Sequence, residues 1–463
     1  MAGMRSFFVF LVLLSLVPCR MADTVFADEG TTSFEAVVEA KVNAPADETI
    51  QKGETLNLER CINIALRRQP NILAAAGTVE VNRSRVGEAK STYYPQIAAN
   101  AGYSRVKALT GAERLVTTGI SGEPVSNVTS AFDQYSGSVT LNQYIYDFGK
   151  TPTQVKISRL NLDAAGQDFE NISEQIILSV KQSYYAVLQA KRNRAVAEET
   201  VKQFAQHLDQ AKGFYEVGTH PKFDVTKAEV DLSNAKLNLI RAQNTVKLAI
   251  VNLNNAMGVP DAPDYQLEDN LSFVKYEMAF EEALSTAFGN RPDLKSAVAK
   301  RKAAEQAVAL AKTGYYPSIS GNAAYNVGGS NFPLNTGWNV GATISIPIFS
   351  GFLTKYQVEE ARANLNVLKA NEETQRLTVF LDVQQAYLNL KEAEERVPTA
   401  ELAVTQAKEN LDIANGRYSA GVGSPIEVTD AQVASTNAET TYIQALSDYK
   451  VARAALEKAV GGR

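Results

Sequence analysis

Apolar residues recur at alternating intervals of three and four along four long stretches of the chain. This spacing puts them on one face of a helix, and a 3-4 repeat underwinds neighbouring helices into a left-handed coiled coil. The four sets are Ala197, Val201, Phe204, Leu208, Ala211, Tyr215; Val225, Ala228, Leu232, Ala235, Leu239, Ala242, Val246, Ala249, Leu253, Ala256; Val397, Ala400, Val404, Ala407, Leu411, Ala414, Tyr418; and Val428, Ala431, Ser435, Ala438, Tyr442, Ala445, Tyr449, Ala452, Leu456, Ala459. The alternation of large residues with alanine favours closely packed antiparallel helices.

Two of the predicted helices are unusually long. The first runs from about residue 151 to 215, with Gly166 as the only glycine or proline between residues 153 and 212. The second runs from about residue 354 to 418 and contains Pro398. About 65 residues make roughly 95 Å of helix at 1.5 Å per residue, whereas helices of globular proteins average about 11–12 residues. Helices of this length need coiled-coil packing along most of their extent.

Two short segments, tip 1 (214–224) and tip 2 (417–427), separate these helices and match each other without a gap. The matches continue to Val230 and Val433, and each pair lies 203 residues apart. They are Tyr215 with Tyr418, Gly218 with Gly421, Asp224 with Glu427, Val225 with Val428, Thr226 with Thr429, Ala228 with Ala431 and Val230 with Val433. Each tip contains glycine and proline between helical patterns. Each is therefore predicted to be the turn of a helical hairpin, and the chain is internally duplicated.

The pattern changes from a period near 3.6 to a period of two after each Tyr-Tyr-Pro sequence, which occurs at 93–95 and 315–317. The alternating apolar positions are Val139, Leu141, Ile145 and Trp338, Val340, Ala342, Ile344, Ile346. This alternation predicts two β-hairpins, 95–146 and 317–349, with nineteen more residues in the first copy, within 109–134. The expected fold is mainly α with a small β part, with four strands per chain.

The first 27 residues resemble a secretory signal. Arg5 precedes an apolar run of twelve residues (6–17), too short for a helix that spans a bilayer, and the segment 25–27 has small residues at the positions expected before a cleavage site. A lipoprotein acylated at Cys19 is the alternative, although Pro18 is unusual before such a cysteine. We expect cleavage after residue 27.

The rest of the chain divides into four predicted regions. They are a flexible periplasmic N-terminal extension (28–54), a first structural repeat (55–260), a connector (261–276) and a second structural repeat (277–463). Soluble half-buried sheets show the same alternation of polar and apolar residues, so the strands alone do not identify a membrane protein.

Composition argues against several functional classes. The net charge is −5 and no basic patch suggests nucleic acid. The chain has two cysteines, Cys19 and Cys61, and two histidines, His207 and His220, in no ligand-spaced motif. Phosphate-binding loops and nucleophile elbows are absent from the sequence. We therefore expect no catalytic, metal or cofactor site, and no enzyme.

Four strands cannot close a barrel in a membrane, because bacterial barrels have at least about eight strands and an open edge in lipid leaves backbone groups unpaired. Either the chain stays out of the membrane, or several chains share one barrel. Three chains would supply twelve strands and twelve helical tracts.

The order of elements, the duplication, the Tyr-Tyr-Pro entries and the two tips resemble the TolC-like outer-membrane efflux protein family over residues 55–461. The resemblance implies a homotrimer with a 12-stranded β-barrel in outer-membrane lipid, continuous with a periplasmic α-helical barrel. It also implies the role of a gated exit duct in a tripartite efflux pump or type I secretion system of a Gram-negative bacterium. The partners would be a periplasmic adaptor protein and an inner-membrane transporter.

The same resemblance assigns roles to the tips. Asp224, Glu427 and Asp430 match acids that ring the periplasmic entrance, and Tyr418 matches a tyrosine that holds the closed mouth. Val217, Gly218, Thr219, Ala420, Gly421 and Val422 would form the adaptor-contacting surface. Two positions depart from the family: Gly423 replaces an arginine, and Phe223 replaces a small hydroxyl residue before the first acid.

Simpler roles stay open for these residues. Ser424-Pro425-Ile426-Glu427 has the form of a capping box with proline at the first helical position, and Asp224 and Asp430 would be favourable charges in a first turn. Tyr418 would then be only the last residue of its set of 3-4 spaced apolar residues, and the glycines would be needed only for the backbone conformation of the turns. For the whole protein, the alternative is a periplasmic coiled-coil scaffold or adaptor without a pore, which leaves the four strands and the tryptophan at a strand start unexplained.

Overall fold

The computed structural model describes residues 50–107 and 131–462. The predicted signal segment with Cys19, residues 28–49 of the predicted extension and residues 108–130 of the predicted insertion lie outside the described residues. The described chain forms two compact units. One contains residues 82–107, 131–162 and 301–368, and the other contains residues 50–81, 163–300 and 369–462.

The elements follow one another in two similar series. The first series is β1 (Thr55–Leu56), α1 (Leu58–Arg68), α2 (Pro70–Ser91), β2 (Gln96–Val106), β3 (Phe132–Tyr146), α3 (Lys150–Glu216) and α4 (Lys222–Met257). The second is β4 (Gln266–Leu267), α5 (Phe280–Asn290), α6 (Pro292–Lys312), β5 (Ser318–Gly329), β6 (Asn335–Ser345), α7 (Leu353–Ser419) and α8 (Pro425–Val460). The predicted fold class is confirmed. The helices α3 and α7 have 67 residues each, and α4 and α8 have 36 each.

The first unit is built on a four-stranded antiparallel sheet in the order β2-β3-β5-β6. The two strands of each predicted hairpin pair with each other, β2 with β3 and β5 with β6. The two hairpins are joined by pairing of β3 with β5, where Val139 lies opposite Tyr325. Every residue of the two outer strands, β2 and β6, is exposed within the protomer. Among the described residues no further strand pairs with β2 or β6, so this part of the sheet has two long open edges.

The strands pass into the long helices through a tight turn. Phe148 adopts a left-handed backbone (φ 53°), which is uncommon for a residue with a side chain, and Gly149 follows it (φ 92°). The carboxylate of Asp147 accepts a hydrogen bond from the Thr151 backbone N–H at 2.7 Å and so satisfies one of the free donors at the start of α3.

In the second unit, the two repeats end their hairpins in the same way. Gly258 (φ 71°) and Gly461 (φ 73°) stop α4 and α8 in the left-handed conformation. A Cβ at Gly258 would lie 2.9 Å from the Arg68 backbone oxygen, and one at Gly461 would lie 2.9 Å from the Arg291 backbone nitrogen. Gly258 thus ends α4 in contact with the backbone between α1 and α2, and Gly461 ends α8 in contact with the backbone between α5 and α6. Both the left-handed turn and the close backbone approach require glycine.

The connector between the repeats is anchored to the long helices of the second unit. The hydroxyl of Tyr184, on α3, donates to the Glu268 carbonyl at 2.6 Å, and the Arg192 guanidinium binds both carboxylate oxygens of Asp269 at 2.8 and 2.9 Å. The connector also contains β4, which pairs in parallel with β1, with Leu56 opposite Leu267.

A buried arginine holds together the end of α5, the start of α6 and the middle of α7. Arg291 is 3 % exposed; it donates to both carboxylate oxygens of Asp293, and its Nη1 lies 2.9 Å from Asp382. The Gln375 amide also donates to Asp293 at 2.9 Å. Burial by itself raises the pKa of the Asp293 carboxyl, but the hydrogen bonds and charge of Arg291 outweigh burial and hold this pKa below its usual value.

Glu174, on α3, is expected to make the protein less stable at alkaline pH. Burial raises the pKa of this carboxyl from 4.5 to about 7, although Lys458 partly opposes the shift. The folded state therefore keeps a proton that the unfolded chain releases, and the free energy of unfolding falls as the pH rises from about 4.5 through about 7. At 1.36 kcal/mol per pKa unit, the loss is about 3 kcal/mol at most.

Glu174→Gln removes this titration while keeping the size of the side chain. The variant should have a higher thermal midpoint than the wild type at pH 8.5 and the same midpoint at pH 4.5. Glu395→Gln changes an exposed glutamate of α7 and is the matched control, with equal midpoints at both pH values. Equal midpoints for Glu174→Gln and the wild type at pH 8.5 would contradict the assignment.

Within residues 50–107 and 131–462, no helix combines the length and the apolar composition needed to cross a membrane.

Candidate functional site

The two tips are turns of the same kind, and glycine makes both possible. α3 ends at Glu216, after which Gly218 is left-handed (φ 77°) and the Thr219 backbone N–H donates to the Phe214 carbonyl at 3.0 Å. In tip 2, Gly421 is left-handed (φ 72°), and the Val422 N–H donates to the Arg417 carbonyl at 3.1 Å. These hydrogen bonds satisfy carbonyl groups that the helix ends leave unpaired. Glycine adopts the left-handed conformation of these turns without strain.

Tyr418 packs the two tips of one chain against each other. Its side chain is 1 % exposed and lies in a cluster with Leu411, Ala414, Val428 and Ala431 of the second hairpin. Its ring also contacts three rings of the first hairpin: His207 at 5.0 Å, Phe214 at 5.4 Å and His220 at 5.7 Å between centroids. Tyr418 therefore belongs to a packed core at the tip end of the protomer.

The Tyr418 hydroxyl is buried and has no hydrogen-bond partner among the described residues. Burial raises the pKa of this phenol, and the nearby negative charge of Asp224 raises it further. The tyrosine thus stays neutral. Its ring, rather than its hydroxyl, makes the contacts that join the tips.

The carboxylate of Asp224 is buried within the protomer. It is 7 % exposed, and its Oδ2 lies 2.9 Å from Nδ1 of His220, one turn earlier in the chain. Asp224 therefore has a partner inside tip 1.

Glu427 and Asp430 lie on the exposed side of α8. The Glu427 carboxylate is 3.5 Å from the Arg417 guanidinium, and both side chains are about half exposed. Ser424 caps the helix by accepting the Ile426 N–H at 3.2 Å, as the sequence suggested, but Glu427 pairs with Arg417 rather than closing the capping box. Asp430 is exposed and forms no ion pair with the described residues.

A polar link joins the two hairpins within the first turns of α4 and α8. The Asp231 carboxylate of α4 accepts a hydrogen bond from the Thr429 hydroxyl of α8 at 3.1 Å and pairs with Lys227 at 3.1 Å. Because Asp231 and Thr429 are largely buried, this link holds α4 against α8 close to Tyr418.

The six residues predicted to contact an adaptor are all exposed in the protomer. They are Val217, Gly218, Thr219, Ala420, Gly421 and Val422. Gly423 stands where the resemblance led us to expect an arginine, and a Cβ there would lie 2.7 Å from the Tyr418 backbone nitrogen. The turn of tip 2 does not admit a side chain at this position.

The sequence did not reveal the role of His207 and His220, because neither belongs to a metal-ligand motif. One signal was present: His220 precedes Asp224 by four residues, the spacing of neighbours on a helix face. Burial lowers the pKa of His207, which lies against Tyr418. In the described part of the chain, no group of three or more His, Cys, Asp or Glu residues is placed to hold a metal ion.

Comparisons with known proteins agree with this architecture. The family model described as "Outer membrane efflux protein" matches residues 61–259 and 283–462. Protein CyaE of Bordetella pertussis is 25% identical over 414 residues, covering 86% of this chain and 83% of the relative. Outer membrane protein TolC of Escherichia coli is 24% identical over 425 residues, covering 88% of this chain and 82% of the relative.

A solved structure shows the same fold. The Campylobacter jejuni CmeC outer membrane channel superposes with a TM-score of 0.75 at 20% identity, covering 91% of each chain. The family match spans most of the chain and both of its repeats. This protein therefore belongs to the outer membrane efflux protein family.

Proposed function

We propose that three copies of this chain form a passive exit duct of a tripartite efflux pump or type I secretion system. The duct combines a twelve-stranded barrel in outer-membrane lipid with a periplasmic helical barrel. The tips form its gated entrance, where a periplasmic adaptor protein and an inner-membrane transporter deliver the cargo. The family's description, the CmeC structural match and the relatives named above support this role.

The open edges of the sheet carry most weight in the proposal. β2 and β6 have eleven residues each, and on one side their backbone groups pair with no other strand among the described residues. In lipid such groups have no water to bond with, so an open edge is costly and another copy of the chain must pair with it. Four strands from each of three copies close a barrel within the known range of strand numbers.

Exposed apolar faces on the helices support the same assembly. On α4 they are Val230, Leu237, Ile240, Leu248 and Val251, each more than half exposed. On α7 they are Leu377, Leu381, Leu388, Leu402 and Ile413, also more than half exposed. Burying such residues is favourable by about 1.5–3 kcal/mol each, so these faces suit contact with neighbouring copies.

We propose that Asp224, Glu427 and Asp430 together make the entrance acidic, with nine carboxylates in a trimer. Asp430 fits a pore-lining position best because it is exposed and has no ion-pair partner among the described residues. Glu427 is paired with Arg417, and Asp224 contributes its negative charge from a buried position within tip 1. A ring of carboxylates attracts cations and repels anions.

Asp430→Asn is expected to lower cation selectivity, because it removes three exposed charges per trimer without changing the size of the side chain. The ratio of cation to anion permeability in planar bilayers, from reversal potentials in a salt gradient, should fall by about twofold or more at low ionic strength, where charges are least screened.

Asp261→Asn is the matched control, since Asp261 is an exposed acid in the connector, outside the tips. It should leave selectivity unchanged. If the two variants have the same permeability ratio as the wild type, Asp430 does not line the entrance.

A further inference from the structure

The outer face of α4 is positively charged over most of its length. Between residues 232 and 257 the charged residues of this helix are all cations, namely Lys236, Arg241 and Lys247. Each is exposed and forms no ion pair with the described residues. They stand beside Leu237 and Leu248, which are both more than half exposed. This face therefore combines apolar and basic side chains that make few contacts within the protomer.

The outer face of α7 near the tips has the opposite charge. Four exposed acids there form no ion pair in the part of the chain that the structure describes. They are Glu395, Glu401, Glu409 and Asp412. The last three line an open groove together with the apolar side chains of Val404 and Ile413 and the Tyr442 ring of α8. Leu402, beside the groove, is 58% exposed.

Contacts inside the second unit show which residues of the two faces lie at the same level along the helices. The Asp231 carboxylate of α4 bonds to the Thr429 hydroxyl of α8, so these two residues share a level. Glu439 of α8 pairs with Lys408 of α7 at 2.7 Å and so defines a second level. Both α4 and α8 run away from the tips, and Arg241 and Glu439 each lie ten residues beyond the first level. Arg241 is therefore level with Lys408.

The three cations of α4 match three acids of α7 in level. Because α7 runs towards the tips, residues are counted in opposite directions from Arg241 and Lys408. Lys236 is then level with residue 413, Arg241 with residue 408 and Lys247 with residue 402. Each level lies one residue, or about 1.5 Å of helix rise, from an acid of the groove. The resulting pairs are Lys236 with Asp412, Arg241 with Glu409 and Lys247 with Glu401.

We propose that α4 of one copy packs against α7 of the next copy, with these three ion pairs setting the register between them. The inference rests on the proposed function, because rotation about the axis of a duct keeps residues of equal level together in every copy. The same register places Leu237 opposite Ile413 and Leu248 opposite Leu402, so exposed apolar side chains would be buried between the two helices.

The charges make this contact specific for one arrangement of copies. An exposed ion pair stabilises little, whereas like charges brought together at an interface are strongly unfavourable. A two-fold contact would place α4 against α4 or α7 against α7 and so bring like charges together. A contact of α4 with α7 joins two different faces, which continues from copy to copy and can close into a ring.

Paired cysteines in the full chain test the register. A short bismaleimide should link Lys236→Cys/Asp412→Cys into covalent trimers on denaturing gels, because the two thiols of neighbouring copies lie at one level. Lys236→Cys/Glu401→Cys is the matched control. Its thiols lie twelve residues, or about 18 Å, apart in level, which exceeds the reach of the reagent, so no covalent trimer should form. Cys61, the other cysteine outside the predicted signal segment, is buried.

Charge reversal tests the ion pairs themselves. Arg241→Glu and Glu409→Arg should each lower the temperature at which the trimer dissociates in detergent, because each sets like charges opposite each other at every interface between copies. The double variant Arg241→Glu/Glu409→Arg should recover most of the loss. Independent structural damage by the two substitutions would instead add up.

Equal cross-linking of the two cysteine pairs, or a double reversal variant that dissociates at a lower temperature than either single variant, would overturn the proposed pairing. A wild-type trimer that conducts in planar bilayers would still support the duct in that case. A cross-linked trimer that never conducts would refute the duct and leave the interface in place. A wild type that stays monomeric in detergent would refute both.

Discussion

Tyr418→Ala should loosen both tips and raise the open probability of the channel. The substitution removes a side chain that is 1 % exposed and that joins the Leu411 cluster to three rings of the first hairpin. Truncation of a buried aromatic residue to alanine costs about 3–5 kcal/mol. We expect this loss to appear locally, as faster amide exchange in residues 411–431 and longer open times in planar bilayers.

Two matched variants make this test specific. Tyr418→Phe keeps the ring and removes a buried hydroxyl that has no partner in the described part of the chain, so it should be neutral or slightly stabilising. Tyr215→Ala changes the residue that matches Tyr418 in the sequence repeat but is 46 % exposed, so it should cost much less. Equal exchange rates in Tyr418→Ala and Tyr215→Ala would show that the aromatic packing does not hold the tips.

Arg291→Met should cause the second large effect, a loss of about 3–5 kcal/mol of stability in the second unit. The arginine is 3 % exposed and neutralises Asp293 and Asp382, and removing one partner of a buried ion pair leaves an uncompensated charge. The thermal midpoint at neutral pH should fall by several degrees.

The loss should shrink as the pH falls, because protonation of Asp293 removes the unpaired charge. Lys300→Met is the control: Lys300 and its partner Asp168 are both nearly half exposed, and an exposed pair contributes about 1 kcal/mol or less. A midpoint for Arg291→Met within one degree of that for Lys300→Met would show that the buried cluster is not needed for stability.

The sequence predicted most of the fold because the repeating patterns are long. A helix expected over residues 151–215 is observed from Lys150 to Glu216, and a strand expected to begin at Pro95 begins at Gln96. Over dozens of residues the 3-4 spacing leaves little ambiguity, and the second repeat supports each assignment made in the first.

The packing at the tips was not predictable from the same patterns. Tyr215 and Tyr418 are equivalent in the repeat, yet one is half exposed and the other fully buried. The difference arises because Tyr418 inserts among rings from the other repeat, a contact between residues about 200 positions apart in the chain. Local spacing carries no information about which of two matched residues faces the other hairpin. The pairing of His220 with Asp224 was missed for a related reason, since a single spacing of four is common by chance.

The steric requirement for glycine was only partly visible. Gly218 and Gly421 stood out because they align between the tips. Gly423 stood out only as a departure from the resemblance to the family. Glycine is needed there because a Cβ would lie 2.7 Å from the Tyr418 backbone nitrogen, and no sequence pattern encodes this contact.

If several copies of this chain share one pore, the purified protein should have both the mass of an oligomer and a measurable conductance. The molar mass of the purified protein would be measured in detergent by light scattering, and its ionic conductance would be recorded in a planar bilayer. A trimer that gives small, discrete, cation-selective steps is the predicted result. A monomer, or a protein that never inserts, would contradict the account and favour a periplasmic scaffold built from the same helical hairpins.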